Sequence, residues 1–408
     1  MARSPLSTRS VEPRQPSERE LRRLYERCVS QDLASGAQPA VQPAAMIITG
    51  QPGAGLTFAT VQLRRQLLET VATAAHVSMN RLCAYHPIWA NGGDIAPQTA
   101  ERVSEDCASW FNRLVKDAQK QRHNLIAEVE ATQIEAVPTL AGDLRRSGYM
   151  VQAVFVATSR EDSHVAMMAR YEMRRRHGLA VDPPSIKAHD FAVGNVVDVL
   201  GRMEFDRSVD GLRVIASNGD HIYEGRLDGD KWDRPPRASA TLGALLDKTP
   251  TTKEMVRTAM RWETLFQRLG TDPTVPREVA SQVLQWRNEA IGRCEQEPST
   301  AIALQWAREA GAFRVMNRFE FLKEFPHHER AVQALGIAAT EAERFPKEQA
   351  DRLMVHAREN IAQRIERGDM ARIAARQKSQ DAKAQTREAG PPTSDRSRNP
   401  RTPEGPSR

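Results

Sequence analysis

The feature that most constrains the fold is an apolar strand that runs directly into a glycine-rich loop. Residues 45–49 read Ala-Met-Ile-Ile-Thr, an apolar run without alternation, which is typical of a strand covered on both faces. Residues 50–57 read GQPGAGLT, and the apolar spacing of residues 58–75 is helical. A strand, a glycine loop and a helix in this order predict the first unit of a parallel α/β sheet.

The alternation of short apolar runs with helical segments continues along the chain. Helical patterns at 99–121 and 134–147 separate further runs, which predict strands at residues 76–79, 124–128, 151–157 and 212–217. Ligands of such sheets bind beyond the carboxyl ends of the strands. Four residues stand at those ends and mark the expected site: Gly50, Asn80, Glu128 and Thr158.

The chain begins with a polar segment and a capped helix. Residues 1–16 are polar and contain proline, whereas Ser17 and Glu20 have the spacing of a capping box, which satisfies free N–H groups at a helix start. We expect this helix to reach Leu33 and to carry its apolar side chains on one face, formed by Leu21, Leu24 and Cys28.

From Thr252 onward the pattern is helical, with apolar faces at residues 255–269, 278–294, 299–318 and 341–367. The sequence from Gln377 is rich in Ser, Pro and Arg, which is typical of disorder. We therefore predict four parts: a loose N-terminus at 1–16, an α/β domain at 17–240, a helical region at 250–375 and a disordered basic tail at 376–408.

The positive charge of the chain is concentrated near its end. The net charge is +6, and residues 376–408 carry eight Lys or Arg against four Asp or Glu. Because a charged tail of this kind is usually solvated, the charge argues against nucleic acid as a partner.

Cysteine usage and hydropathy bear on the compartment. The four cysteines form neither a C-x-x-C pair nor a zinc spacing, which indicates reduced thiols. The sequence shows no apolar run of membrane-spanning length and no apolar core of a secretory signal. We predict a cytoplasmic location without a membrane partner, and the Ser/Arg/Pro-rich start leaves non-classical secretion open.

The glycine loop departs from the phosphate-binding pattern G-x-x-x-x-G-K-[ST] at one position. Gly50, Gly55 and Thr57 fit the pattern, but Leu56 stands where the lysine belongs. Such loops hold phosphates with backbone N–H groups at a helix N-terminus, and the threonine hydroxyl is a candidate Mg²⁺ ligand. On this stretch alone, a plain strand-to-helix turn is an equally good interpretation. The candidate nucleotide-binding residues are Gly50, Gln51, Pro52, Gly53, Ala54, Gly55, Leu56 and Thr57.

Further motifs follow the loop in a fixed order. They are Asn80 six residues before His86-Pro87, Asn124 to Glu128 with Glu130, Gly148-Tyr149-Met150-Val151, Ser163, Arg170-Tyr171-Glu172, and His189-Asp190. Together they cover roughly residues 40 to 225. In this order they resemble the zeta toxin family, which are P-loop kinases that phosphorylate a UDP-activated amino sugar.

The resemblance implies a fold, cofactors and partners. The fold would be a P-loop kinase-like parallel sheet with flanking helices, followed here by an all-helical C-terminal region. ATP and Mg²⁺ would be the cofactors, UDP-N-acetylglucosamine the substrate, and an antitoxin-like or regulatory protein the partner. By the same resemblance Glu128 and Arg170 would bind substrate, and Asn80 would stand in place of the family's general base, an aspartate.

Three departures from the family bear on activity. Leu56 replaces the loop lysine, Asn80 replaces the base and cannot take a proton, and Glu130 replaces a threonine beside the anionic substrate. We therefore predict a degenerate zeta-toxin-like protein that binds nucleotide or UDP-sugar with weak or absent kinase activity. One alternative is an active kinase with displaced groups, for which the candidates are Arg81 for the lysine and Asp94 or Asp106 for the base. Another is a protein–protein interaction module on a kinase scaffold.

Several prominent side chains receive a structural interpretation. We expect His86-Pro87 to orient a loop, Trp89 and Trp110 to lie in the core or in a substrate wall, and Arg174 to Arg176 to form a solvated helix end. Substrate phosphate contact is the alternative for these arginines. His327 and His328 are expected at the surface, because the sequence places neither an acidic residue nor a cysteine near them at metal spacing.

Overall fold

The computed structural model describes residues 14–70, 73–90, 97–132, 135–177, 183–370 and 372. Predictions that concern residues 1–13, Asp94 and the tail at 376–408 lie outside these ranges. The chain separates into a larger compact unit that ends at Arg293 and a smaller one that begins at Cys294.

In the described part of the larger unit, seven strands form one sheet in the order β2-β3-β1-β4-β5-β6-β7. Strands β1 to β5 pair in parallel, whereas β6 and β7 pair antiparallel at one edge. The strands are β1 Ala44–Gly50, β2 Ala75–Ser78, β3 Leu125–Glu130, β4 Met150–Ala157, β5 Gly211–Ala216, β6 His221–Asp228 and β7 Lys231–Trp232.

The predicted fold class is confirmed, because all five predicted strands form and pair in parallel. The antiparallel strands β6 and β7 were not predicted. Their pairing partner lies close along the chain, and half-exposed residues such as Tyr223 give them no continuous apolar run.

The core lies on both faces of the sheet. Ile47 and Phe155 belong to one buried cluster, whereas their neighbours Ile48 and Val154 belong to another. Successive side chains of a strand point to opposite faces, so a strand covered on both sides must be apolar at every position. This explains the unbroken apolar run of β1.

Helices cover the sheet and continue beyond it. In this unit they are α1 Glu18–Leu24, α2 Ser30–Leu33, α3 Leu56–Thr70, α4 Met79–Cys83, α5 Pro87–Ala90, α6 Pro97–Gln121, α7 Ala136–Arg146, α8 Arg160–Arg176, α9 Ile186–Phe205, α10 Ala238–Leu246, α11 Thr252–Leu265 and α12 Arg277–Glu295, which crosses the boundary. The helix predicted over residues 58–75 is too long, since β2 already begins at Ala75.

The N-terminal helix differs from the prediction in its buried face. The Ser17 capping box forms as predicted, but a π-helical turn at Tyr25–Val29 separates α1 from α2. Leu21 and Leu24 are partly buried and pack against the core as predicted, whereas the most deeply buried residues, Tyr25, Val29 and Leu33, were not singled out. A π turn spaces its hydrogen bonds five residues apart, so it rotates the following residues relative to an α-helical pattern.

The helices of the smaller unit are α13 Pro298–Val315, α14 Arg318–Glu324, α15 Glu329–Ala342 and α16 Lys347–Glu366. The predicted helix at 341–367 begins too early, because Pro346 precedes α16 and the chain turns between Ala342 and Lys347. Helices α14 and α15 were missed. None of the described helices of either unit is both long and apolar enough to cross a bilayer.

Candidate functional site

The glycine loop after β1 has the backbone conformation that only glycine adopts without strain. Gly53 has φ +82° and Gly55 has φ +93°. A Cβ atom on Gly53 would lie 2.2 Å from the carbonyl oxygen of Ser163, so the loop packs directly on α8 at this point. Two of the glycines singled out in the sequence are therefore required by the backbone path itself.

The loop is tied to the end of β4. The buried Gln51 side chain donates from Nε2 to the Thr158 carbonyl oxygen at 2.5 Å, and the Thr158 hydroxyl donates to the Ala54 carbonyl oxygen at 2.9 Å. Helix α3 begins immediately after Gly55, which is exposed, as is Thr57. The first N–H groups of a helix have no partner within it, so this arrangement is a potential anion site.

Leu56 lies in the core rather than at the rim. Its side chain is only 9% exposed and belongs to the cluster that contains Met46, Ile48 and Ala59. The residue that stands in the lysine position therefore stabilises the β1–α3 packing and offers no charge to a bound anion.

A chain of hydrogen bonds crosses the carboxyl edge of the sheet. The Thr57 hydroxyl donates to Oε2 of Glu128 at 3.3 Å, and His76 Nε2 lies 2.8 Å from Oε1 of the same carboxylate. Arg81 donates to His76 Nδ1 at 2.7 Å. Because Nδ1 accepts, the imidazole carries its proton on Nε2 and donates it to Glu128. Thr57, Glu128, His76 and Arg81 are thus fixed in one network.

The pKa of Glu128 reflects this network. Burial raises it, but hydrogen bonds from His76, Thr60 and Ser78 bring it below its ordinary value. The carboxylate therefore stays ionised beside the Thr57 hydroxyl. Hydroxyl and carboxylate oxygens are the ligands that Mg²⁺ prefers, so these two residues are the candidates to hold that ion.

Asn80 lies at the same edge as Glu128. Ser78 pairs with Glu128 across β2 and β3, and Asn80 follows two residues later in α4, where it is exposed. Its amide hydrogen-bonds in both directions but does not accept a proton at neutral pH. The strand-end residues Gly50, Asn80, Glu128 and Thr158 are thus brought to one edge, as the parallel sheet requires.

Arg170, which the resemblance assigns to substrate binding, faces Glu130. Arg170 Nη2 lies 3.5 Å from Oε1 of Glu130, and both side chains are about two-fifths exposed, at 38% and 39%. The acidic residue that departs from the family pattern therefore pairs with the arginine to which the family pattern assigns substrate contact.

The three consecutive arginines of α8 have different environments. Arg174 lies over the Trp89 ring at 4.8 Å, and burial, together with the charge of Arg170, lowers its pKa. Arg175 contacts Asp272, whereas Arg176 is exposed and lies 3.6 Å from Glu172. A solvated helix end describes Arg176 but not Arg174, because α8 turns successive side chains by about 100°.

The two candidate replacement groups within the described residues, Arg81 and Asp106, already have partners. Arg81 holds His76, and Asp106 lies 3.2 Å from Nε2 of the fully buried His86. Burial lowers the pKa of His86, and the Asp106 carboxylate opposes this shift. His86 thus has the structural role expected for it, and Trp110 lies in the core at 5% exposure.

His76 was missed in the sequence. It lies on a strand whose four residues are all buried. A polar residue inside a fully buried strand requires a hydrogen-bond partner, and this was the available signal.

A second hydrogen-bond chain joins two residues that the sequence identified only as parts of motifs. Ser163 and His189 are bonded to each other at 2.8 Å, and Asp190 lies 3.1 Å from the other ring nitrogen of His189. This chain connects α8 to α9 beneath the loop.

A parallel sheet with a glycine loop between its first strand and a helix defines a P-loop kinase-like fold. The Zeta toxin family model matches residues 30–228. Toxin PezT of Streptococcus pneumoniae serotype 4 (strain ATCC BAA-334 / TIGR4) is 23% identical over 200 residues, which cover 48% of this chain and 76% of that protein. These matches confirm the predicted resemblance: residues 30–228, named the zeta-toxin-like domain below, are similar to the zeta toxin family.

A solved structure gives the same fold. A chain from the PezAT chromosomal toxin–antitoxin system of Streptococcus pneumoniae has a TM-score of 0.50 at 20% identity, covering 62% of this chain and 98% of that one. A structure of AvrRxo1-ORF1:-ORF2 with ATP is a weaker match, with a TM-score of 0.39 at 15% identity, covering 66% of this chain and 85% of that one.

Proposed function

We propose that the zeta-toxin-like domain binds a nucleotide with Mg²⁺, and a UDP-sugar, at the carboxyl edge of its sheet, and transfers phosphate weakly or not at all. The observation that carries this proposal is the position of Leu56. The loop keeps the path of a phosphate cradle, while the residue in the lysine position is packed in the core. Backbone N–H groups suffice for binding, whereas phosphoryl transfer depends on positive charge at the transferred group.

Support for binding comes from the loop and the carboxylate beside it. The start of α3 is exposed at Gly55 and Thr57, so a phosphate has access to the free N–H groups. His76 holds one oxygen of Glu128, which leaves Oε2 beside the Thr57 hydroxyl for a hard cation.

Support for weak transfer comes from two positions with different chemical roles. Leu56 supplies no charge, and Asn80 cannot remove a proton from a sugar hydroxyl. Loss of one electrostatic group in an active site typically lowers the rate by about 10²–10³. Losses at two positions need not add, but either is enough to make turnover slow.

The Arg170–Glu130 pair affects the substrate. At 3.5 Å the carboxylate partly neutralises the guanidinium that would meet a diphosphate. A UDP-sugar must therefore compete with Glu130 for Arg170, and we infer that it binds more weakly than it would to the free arginine.

Two other functions remain as alternatives. An active kinase with displaced groups would need Arg81 to leave His76 and, with Asp106 as its base, Asp106 to leave His86, which makes it the weaker alternative. A protein–protein interaction module on a kinase scaffold needs no site chemistry.

Since one matched chain comes from a toxin–antitoxin system, we also propose an antitoxin-like or regulatory protein partner. Co-purification of the tagged chain from its own cells tests that part.

The test measures ADP release by the purified chain with ATP, Mg²⁺ and UDP-N-acetylglucosamine, beside the Leu56→Lys/Asn80→Asp double variant. We expect little release from the unchanged protein and a clear gain in the double variant. Isothermal titration with ATP–Mg²⁺ and with the UDP-sugar is run in parallel. The Thr57→Ala variant serves as the binding control, because it removes only the hydroxyl beside Glu128.

Each outcome separates the alternatives. Turnover by the unchanged chain contradicts the loss of transfer and favours displaced groups. If neither protein releases ADP but ATP–Mg²⁺ or the UDP-sugar binds, the chain is a binding protein. If neither protein releases ADP and neither ligand gives a heat of binding, the interaction module is favoured.

A further inference from the structure

The smaller unit contains a cluster of metal-binding side chains around one buried carboxylate. Glu309 on α13 is 3% exposed. His328 Nε2 lies 2.7 Å from its Oε2, and His327 Nε2 lies 3.3 Å from its Oε1. The surface position expected for this pair of histidines is wrong for His328, which is also 3% exposed, and Glu309 is the acidic partner that sequence spacing did not reveal. The partner lies 18 and 19 residues away and is brought close only by helix packing.

Local structure explains why both imidazoles face the same carboxylate. Residues 326–328 form a 3₁₀ turn that starts with Pro326, whose fixed φ suits the first position of a helix. The His328 ring packs against Phe321 at 5.8 Å between ring centroids, which holds it inward. The His327 side chain remains 55% exposed, so one side of the cluster is open to water.

The charge of the cluster favours a cation. An ionised carboxylate inside a helical bundle is costly unless it is paired, and here the donors are the two imidazoles and the Gln305 amide at 2.9 Å. A bound divalent ion would neutralise the carboxylate and use the lone pair of each imidazole nitrogen.

The separations between the candidate ligand atoms bracket those of a tetrahedral metal site. Ligand atoms at about 2.0–2.2 Å from a tetrahedral zinc lie about 3.3 Å from one another. The three ligand atoms of Glu309, His327 and His328 all lie within 4.8 Å of each other, and two of the separations are 2.7 and 3.3 Å. Small side-chain rotations would place all three around one ion, with water on the open side.

We propose that Glu309, His327 and His328 bind a divalent transition metal, with zinc as the expected ion. The donor set of two imidazoles and one carboxylate suits Zn²⁺ and its neighbours rather than Mg²⁺ or Ca²⁺, which prefer oxygen ligands. The site ties α13 to the turn before α15, independently of the proposed function of the α/β domain.

The test measures zinc bound by the purified full-length chain after chelator treatment, by competition with a chromogenic chelator. We expect the His327→Ala variant to bind one equivalent less, or to bind that equivalent at least tenfold more weakly, since loss of even an indirect partner typically weakens metal binding by about 10–100-fold. His356→Ala is the matched control, because His356 is an exposed histidine of the same unit. Cobalt substitution should give tetrahedral absorption bands in the unchanged chain and in the control but not in His327→Ala.

A second cluster requires its own comparison. His164, His189 and Asp190 also lie within ligand distance of one another, so the Asp190→Asn variant is measured beside the others. The proposal is overturned if His327→Ala and the unchanged chain bind the same number of zinc equivalents with the same affinity. A loss confined to Asp190→Asn would overturn it as well. Because His327 is more than half exposed, its replacement by alanine should leave the fold intact, as circular dichroism will verify.

Discussion

At the scale of single residues, the candidate site depends on backbone conformations that glycine allows. Gly53 and Gly55 both have positive φ, but their surroundings differ. A Cβ atom on Gly53 would meet the Ser163 carbonyl group, whereas one on Gly55 would meet no described atom within 4 Å. The two positions therefore separate backbone strain from steric overlap.

We predict that Gly53→Ala destabilises the chain more than Gly55→Ala. At Gly55 the change adds only the strain of a left-handed alanine, about 1–2 kcal/mol. At Gly53 the loop must also move away from α8, so the loss in free energy of unfolding should exceed that value. Urea unfolding of both variants measures the difference, and equal losses would contradict the close packing of the loop on α8.

Leu56 gives a second prediction at this scale. Leu56→Lys should tighten ATP binding, because it adds a charge at the loop, but should lower the free energy of unfolding by about 1–3 kcal/mol, because it removes apolar packing. Leu56→Met keeps the volume and should lower it by less than about 1.5 kcal/mol without tightening binding. Titration calorimetry and urea unfolding test both parts, and a lysine variant as stable as the unchanged chain would show that Leu56 is not a core residue.

At the scale of elements, α8 connects the loop to the helices that follow. Its Ser163 lies under Gly53 and bonds His189 of α9, and its Asp162 accepts from Arg257 and Arg261 of α11. His164 stacks on Trp286 of α12 with ring centroids 4.6 Å apart. Displacement of α8 would therefore disturb the loop as well as the helical packing.

The buried environment of His164 predicts that the stability of this packing depends on pH. Burial, with a smaller contribution from His189, lowers the pKa of His164 from 6.5 to about 4. The unfolded chain therefore takes up the proton first as the pH falls. The stability that the neutral ring contributes is complete above about pH 6.5 and is lost as the pH falls towards 4.

We expect the unchanged chain to lose about 1–2 kcal/mol more than His164→Gln between pH 7 and pH 5. Urea unfolding at several pH values measures this difference. His221→Gln serves as the control, because His221 is exposed on β6, and it should follow the unchanged chain. Parallel curves for His164→Gln and the unchanged chain would mean that the ring is not neutral in the folded state.

At the scale of the whole molecule, each of the two compact units has its own apolar core. The smaller unit buries a cluster that includes Phe313, Phe321, Leu335 and Ile365. Phe321 is 1% exposed and Phe319, two residues earlier, is 73% exposed. A core of this kind is expected to support folding of the unit by itself.

We predict that a fragment of residues 297–370 is helical and unfolds cooperatively. Removing a buried phenylalanine side chain typically lowers stability by about 3–5 kcal/mol, which is close to the whole stability of a small core. Phe321→Ala should therefore abolish the cooperative transition, whereas Phe319→Ala should retain it. Thermal unfolding followed by circular dichroism decides, and a fragment that stays unstructured would mean that the smaller unit depends on the rest of the chain.

The sequence by itself determined the elements and the edge of the sheet where the candidate site lies. Apolar periodicity is a local property, so the five parallel strands and the loop were predictable, and parallel strands necessarily bring Gly50, Asn80 and Glu128 to one edge. The replacements at Leu56 and Asn80 were visible for the same reason, since each is read at one position of a motif.

Only the tertiary structure decided which side chains meet. The links from His76 to Glu128, from Arg170 to Glu130 and from His328 to Glu309 join residues 52, 40 and 19 positions apart. Hydrogen bonds and ion pairs form over about 3 Å, and the strand register and helix packing that bring these groups within that distance leave no periodic trace in the sequence. Spacing along the chain therefore failed for the histidine pair, where packing of α13 against the turn supplied the missing carboxylate.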